Sequence, residues 1–164
     1  MREALISIKP TYVEKFLTGE KSVELRKRTV TLSSGSRLWI YSTLPKGCME
    51  AVAEVNRVVV GTPGQIWDKY RDALGVSKST YSEYVYGAST ISAIVTKSIW
   101  NLPAKMDLSM LRSQVPGFHP PQFIKYMTDS DPVFMFIIRF LFSNASEERL
   151  RDIGLTKKIE YLLA

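Results

Sequence analysis

Between Met49 and Val60 the chain carries its longest β-branched stretch, and a run of that kind is hard to house outside a sheet. Within it Ala51, Ala53 and Val55 share one strand face, and Val52, Glu54 and Asn56 share the other, which leaves Glu54 among apolar neighbours. Leu38-Trp39-Ile40-Tyr41-Ser42 reads as the strand before it, stopped at Leu44-Pro45-Lys46-Gly47. From Lys21 to Arg26 the residues alternate, Val23 and Leu25 against Ser22, Glu24 and Arg26, the period of a half-buried strand. Ser92 to Trp100 gives a further strand with Ala93-Ile94-Val95 at its centre and Pro103 at its exit.

Helical patterns fall between and after these strands. Leu5, Ile6 and Ile8 form a short apolar segment, after which Pro10 suits the first turn of a helix through Tyr12, Val13, Phe16 and Leu17, and Gly19 ends it. Thr62-Pro63-Gly64 opens another, in which Ile66, Trp67, Tyr70 and Leu74 recur at helical spacing, and a short one is expected from Ser79 to Tyr86. Beyond Pro103 the pattern predicts a short helix at Leu108 to Leu111, a turn at His119-Pro120-Pro121, a helix from Gln122 to Met127 and a break at Asp131-Pro132. The apolar run Val133 to Phe142 fits a buried helix or strand, and Asn144 with Glu147 resembles a capping box before Leu150, Ile153 and Leu155. Strands followed by a helical tail predict an α+β domain, its small sheet or barrel covered at one end by helices. At 164 residues the chain has room for one such body.

Lys and Arg number 22 against 16 Asp and Glu, a net charge of +6 that favours an anionic partner, nucleic acid first among them. One cysteine, Cys48, and one histidine, His119, are too few for an internal disulfide or a usual zinc site, and no cofactor or metal is implied. The amino terminus is broken by Ser7 and Lys9, too polar for a signal peptide, so a cytoplasmic protein is expected. The run Val133 to Phe142 is interrupted by Arg139 and is about half the roughly 20 residues that span a bilayer, so no membrane segment is expected either.

The densest charge lies in Lys21-Ser22-Val23-Glu24-Leu25-Arg26-Lys27-Arg28, a strand running into a loop. Cations projecting from a rigid strand can hold phosphate, Arg bidentately and Lys as a point charge, although a basic strand edge also serves simply to deter aggregation. Parity puts Lys21 with Val23 and Leu25, where burial would lower its pKa and fit it to act as a base, but at the end of the strand it is expected rather to snorkel to water. Glu54 is open to two readings, an exposed strand position or the ion-pair partner of Lys21 or Arg26. Trp39, Tyr41, Tyr81, Tyr84 and Tyr86 are the aromatics on which a base could stack, with Trp39 expected in the core. No Ser-His-Asp order, Gly-rich phosphate loop or HExxH spacing occurs.

Leu5-Ile6-Ser7-Ile8-Lys9-Pro10 followed by Gly19-Glu20-Lys21-Ser22-Val23-Glu24-Leu25-Arg26 resembles the opening of ASCH domains, a branch of the PUA-like superfamily. Further matches follow in order: Ile40-Tyr41-Ser42 before Pro45, Ala53-Glu54-Val55, Ile66-Trp67, Tyr84 with Gly87, Ala93-Ile94, and Pro120-Pro121-Gln122. The resemblance spans Leu5 to Tyr126 and implies a PUA-like domain over residues 1–128; it does not account for 129–164, which the helical patterns there lead us to expect as a C-terminal helical extension packed on the same domain. It implies a small β-barrel with flanking helices and a cleft for RNA or a modified nucleoside. Some small bacterial members are amidohydrolases of acylated cytidine that use a lysine, a threonine and a glutamate. Lys21 matches that lysine, but Glu24 stands where those enzymes carry threonine.

Two functions are therefore expected to compete. In the first, an RNA- or nucleotide-binding module, Lys9, Lys21, Arg26 and Arg28 meet phosphate or base edges, Tyr41 stacks with Ser42 beside it, and Glu24 or Glu54 orients them. In the second, a hydrolase of modified nucleosides or of RNA, Lys21 acts as base with Glu24 or Glu54. A third reading has the segment 133–142 form the seam of a homodimer.

Overall fold

The alternating patterns of the first hundred residues become one curled sheet. The computed structural model describes residues 1–164, in which six strands run in the spatial order β2-β5-β4-β3-β1-β6. They are β1 (Glu3–Ile8), β2 (Val23–Arg26), β3 (Arg37–Ser42), β4 (Cys48–Gly61), β5 (Ile91–Asp107) and β6 (Ile124–Met127). β1 lies parallel to β3 and antiparallel to β6, and the remaining pairs are antiparallel. The edge strands β2 and β6 have four residues each and do not pair with one another, so the expected closed barrel is a half-barrel. The chain after β2 lies across the gap, where the Thr31 amide donates to the Tyr126 hydroxyl at 2.9 Å.

Strand parity sorts the core into two faces. Ala4, Ile6, Leu38, Ile40, Ala51, Ala53 and Val55 line the concave face with Val13 and Phe16 of α1 (Pro10–Thr18). Leu5, Trp39, Tyr41, Met49 and Val52 point the other way, into a core closed by Leu111 of α4 (Leu108–Gln114) and by the C-terminal helices α5 (Pro132–Asn144), α6 (Glu147–Asp152) and α7 (Thr156–Leu163). Met49 and Val52 share a face despite their odd spacing because Glu50 has no opposite residue on β3 or β5, a bulge that resets the alternation. A third core, Val23, Leu25, Ile91 and Ala93, is covered by α2 (Pro63–Tyr70) and α3 (Lys78–Val85).

Several expectations are corrected here. Residues 124–127 are strand, not helix, because the free edge of β1 pairs with them from Glu3↔Met127 to Ile6↔Ile124. β5 runs on past Trp100 to Asp107, and Pro103 is tolerated because it falls in the stretch where the β4–β5 register shifts, between Ala51↔Asn101 and Met49↔Met106. The cap of α6 is Ser146, whose hydroxyl accepts from the Arg149 amide; Asn144 instead donates to the Phe140 carbonyl at the end of α5. The run 133–142 is helical, and its Val133, Phe134, Ile137, Ile138 and Leu141 are buried against the sheet of the same chain. Among its apolar side chains that leaves Phe142 exposed, with Met135, Phe136 and Phe140 half-buried. No helix is long and apolar enough to cross a membrane.

Candidate nucleic-acid interface

β2 turns Val23 and Leu25 into the α2–α3 core, which directs Glu24 and Arg26 to the opposite side, toward the C-terminal end of β1. There they meet Ser7, Ile8 and Lys9 at the junction of β1 and α1, and Tyr12 in the first turn of α1. α3 forms the facing wall with Thr80, Tyr81, Glu83 and Tyr84, and Val76 and Lys21 complete a cleft of about 370 Å³. Lys9 is the N-cap of α1 and supplies no side-chain cap, so the positive end of that helix borders the cleft beside the Lys9 ammonium.

Glu24 sits between two cations. Arg26 Nη2 donates to Glu24 Oε1 at 2.9 Å and to the Ser7 carbonyl at 3.0 Å, and Lys21 Nζ lies 3.3 Å from Glu24 Oε2. Lys21 is only 4% exposed, and its ammonium also donates to the carbonyls of Val23 at 2.7 Å and Leu74 at 2.9 Å, using its three protons on three acceptors. Burial pulls the Lys21 pKa below the ordinary lysine value, and the Glu24 carboxylate works against that pull. The Tyr84 hydroxyl donates to the Leu25 carbonyl at 2.9 Å, and burial raises its pKa, so the phenol stays a neutral donor.

Two atoms in this cleft have no protein partner. Arg26 Nε and the Ser7 hydroxyl are both shut away from solvent without a hydrogen bond. A buried polar group left unmet costs about 1–3 kcal/mol, so an unpaired donor and an unpaired hydroxyl in one hollow mark a place where an outside polar group would be held. The cleft also combines three cations, Lys9, Lys21 and Arg26, with two carboxylates, Glu24 and Glu83, and the rings of Tyr12, Tyr81 and Tyr84. That mixture suits a base, which presents both donors and acceptors on its edge and a flat face for stacking, better than it suits a bare phosphate.

Lys9, Lys21, Glu24 and Arg26 are thus brought together, while the other sequence candidates lie elsewhere. Tyr41 is 2% exposed and packs at a ring-centroid distance of 6.4 Å from Phe118, so it has no face free for a base; Tyr81 is as buried and packs on Trp67 at 4.9 Å, which leaves Tyr12 and Tyr84 as the cleft aromatics open to a ligand. Ser42, next in β3, is fully buried and outside the cleft. Glu54 pairs with Lys97 at 3.1 Å rather than with Lys21 or Arg26, because it sits on β4 opposite Ser98 of β5. Arg28 stands past the rim, its guanidinium carbon 3.7 Å from the centroid of the Phe123 ring. Trp39 is in the core as expected, donating from Nε1 to Glu3 Oε2 at 2.8 Å. Ser7 was missed as a site residue; the signal available was a lone hydroxyl interrupting the apolar run Leu5, Ile6, Ile8. Tyr12 was read only as an apolar position on α1. Nowhere do three His, Cys, Asp or Glu side chains gather as metal ligands.

The curled half-barrel, with helices on both faces and a cleft beside α1, is the fold of solved ASCH structures. Residues 5–115 match the family described as Domain of unknown function (DUF365), and the chain belongs to that family. It is 27% identical over 127 residues to an ASCH domain-containing ribonuclease of Zymomonas mobilis, an alignment covering 77% of this chain and 84% of that protein. The crystal structure of ASCH from Zymomonas mobilis superposes with a TM-score of 0.75 at 24% identity, over 82% of this chain and 94% of the other. Human THYN1, solved in complex with 5-methylcytosine-containing DNA, has the same fold, with a TM-score of 0.53 at 11% identity over 90% of this chain and 99% of the other.

Proposed function

We propose that this protein is an RNA-binding module that takes one nucleotide of a single strand into the cleft beside α1. The observation that carries the reading is a cleft in which Lys9, Lys21, Arg26, Glu24 and Glu83 share one hollow with Tyr12 and Tyr84, two of its lining residues, Arg26 and Ser7, keeping a polar atom without a protein partner. In this reading a base stacks against Tyr12 or Tyr84, Arg26 and Ser7 meet its polar edge, and Glu24 accepts from a base amine through lone pairs that Arg26 and Lys21 leave free. Lys9 at the rim and Arg28 beyond it take the flanking phosphates, and Lys21 holds Glu24 in place from below. Relatives support it: one carries the name of a ribonuclease, and one was solved on DNA. We assign the binding to residues 1–128, with 129–164 as a cover for the opposite sheet face, and the compartment to the cytoplasm, which suits a free, buried Cys48.

Titrating a labelled single-stranded RNA at 50 and 200 mM salt tests this directly. Affinity should fall with salt, and Arg26→Ala should weaken it by about tenfold, the worth of one or two charge-assisted hydrogen bonds. A binding constant indifferent to salt, or no binding at the lower salt, would remove the reading.

Cleavage is the second reading, favoured by the buried Lys21 beside Glu24. As a base, Lys21 would have to give up a proton that now serves a carbonyl or the carboxylate, leaving an acceptor unmet, and for that reason binding comes first. Incubation of the protein with RNA should leave the strand intact; Lys21-dependent fragments would reverse the order.

A further inference from the structure

The cleft does not end at Arg26. Arg26 and Tyr84 belong equally to a second hollow of about 590 Å³, which runs from the end of β2 along Lys27 and Arg28 to Phe123 before β6. Its walls carry Arg26, Lys27 and Arg28 and no acidic side chain, in contrast to the mixed charge of the cleft. Two cations here lie over aromatic rings: Lys27 Nζ is 5.3 Å from the Tyr84 centroid, and the Arg28 guanidinium is in van der Waals contact with Phe123. Phe123 is 48% exposed, although an aromatic ring of that size on a soluble surface is ordinarily covered.

We infer that this groove is a second nucleotide station, in which Phe123 and the planar guanidinium of Arg28 form the platform for the base next to the one in the cleft. The inference rests on the cleft reading and names its ligand more narrowly: a single strand of at least two nucleotides, not a free nucleoside or mononucleotide. Charge complementarity selects the occupant. A strand leaving the cleft past Arg26 would run its phosphates along a wall with three cations and no carboxylate, and a base flanking them would meet the exposed ring of Phe123 in the same hollow. A duplex could not use both stations, because its bases are already stacked on one another.

The test is a length series on the intact protein: cytidine and adenosine monophosphates, then the corresponding di-, tri- and tetranucleotides, with affinity read by calorimetry. The second nucleotide should improve affinity by at least about fivefold, the effect of stacking one base on an aromatic side chain. Phe123→Ala should abolish that increment and leave mononucleotide affinity unchanged, whereas Phe123→Tyr should keep it, and thermal melting checks that both variants fold. Mononucleotides that bind as tightly as trinucleotides, or a Phe123→Ala protein that retains the increment, would overturn the second station while leaving the cleft reading standing. Failure of every length to bind would overturn both.

Discussion

Lys21 is a charged group held where water does not reach, and its energetics follow from that position. Its ammonium has three acceptors at 2.7, 2.9 and 3.3 Å, so the cost of desolvation is offset by a complete set of charge-assisted hydrogen bonds. Lys21→Met would leave the Val23 and Leu74 carbonyls unmet and Glu24 with Arg26 alone, and should destabilise the fold by about 3 kcal/mol in urea unfolding at pH 7. The pH dependence has a definite sign. The folded state holds the Lys21 proton less tightly than the unfolded chain, whose value is near 10.5. Between the lowered folded value and 10.5 the unfolded chain therefore binds more protons, and Lys21 makes stability rise with pH across that window. Unfolding free energies measured from pH 7 toward 10.5 should climb relative to those of Lys21→Met; parallel curves would show that the burial of Lys21 carries no proton linkage. Parity with Val23 and Leu25 raises this burial as one reading, but a lysine at a strand end is expected to snorkel to water, and the burial is set by the Leu74 carbonyl that receives its ammonium 53 residues later. The fate of Tyr41 was not legible either, since parity pairs it with Trp39 but cannot say which face is covered, and that is decided by residues 133–159, far along the chain.

At the level of elements, what holds the sheet in shape is the helix laid across its convex face. Phe134 of α5 is fully buried, its ring centroid 6.2 Å from that of Trp39. Phe134→Ala should cost about 3–5 kcal/mol in chemical denaturation, the range for removing a buried aromatic ring. Tyr86→Ser, at an 87% exposed position, should stay within about 0.5 kcal/mol. A mild effect of Phe134→Ala would mean that α5 is not held against the sheet as described. Local signals located most of these elements, because alternation and helical spacing are properties of a few neighbouring residues. β6 shows where such signals stop: Ile124 to Met127 could be extended or helical by composition, and the vacant edge of β1, some 120 residues earlier, makes it a strand. The bulge at Glu50 is of the same kind, since it depends on register with two partner strands at once.

On the scale of the whole molecule, the two sheet faces divide the labour. The convex face is closed by α4 to α7 and carries the larger core, and the other side gathers the cleft, its unpartnered polar atoms and the basic groove. An excess of six positive charges favours an anionic partner from composition alone but says nothing of the place, because the cations of the cleft and groove come from the N-cap of α1, the segment before β2, the end of β2 and the loop after it. Closure of the sheet was equally out of reach, being set by how far two four-residue edge strands extend. If Lys9, Lys27 and Arg28 meet phosphates while Arg26 holds the base, log affinity for a single strand should fall with log salt at a slope of about −2. A slope near zero would point to a ligand that is not a polyanion. The most direct test of the cleft itself is to map backbone amide chemical shifts of the labelled protein during titration with a short single-stranded RNA. The account predicts perturbations concentrated at Ser7 to Tyr12, Glu24 to Arg28 and Thr80 to Tyr84, with the α5–α7 face silent. Shifts confined to α5–α7, or scattered without a centre at Arg26, would contradict it.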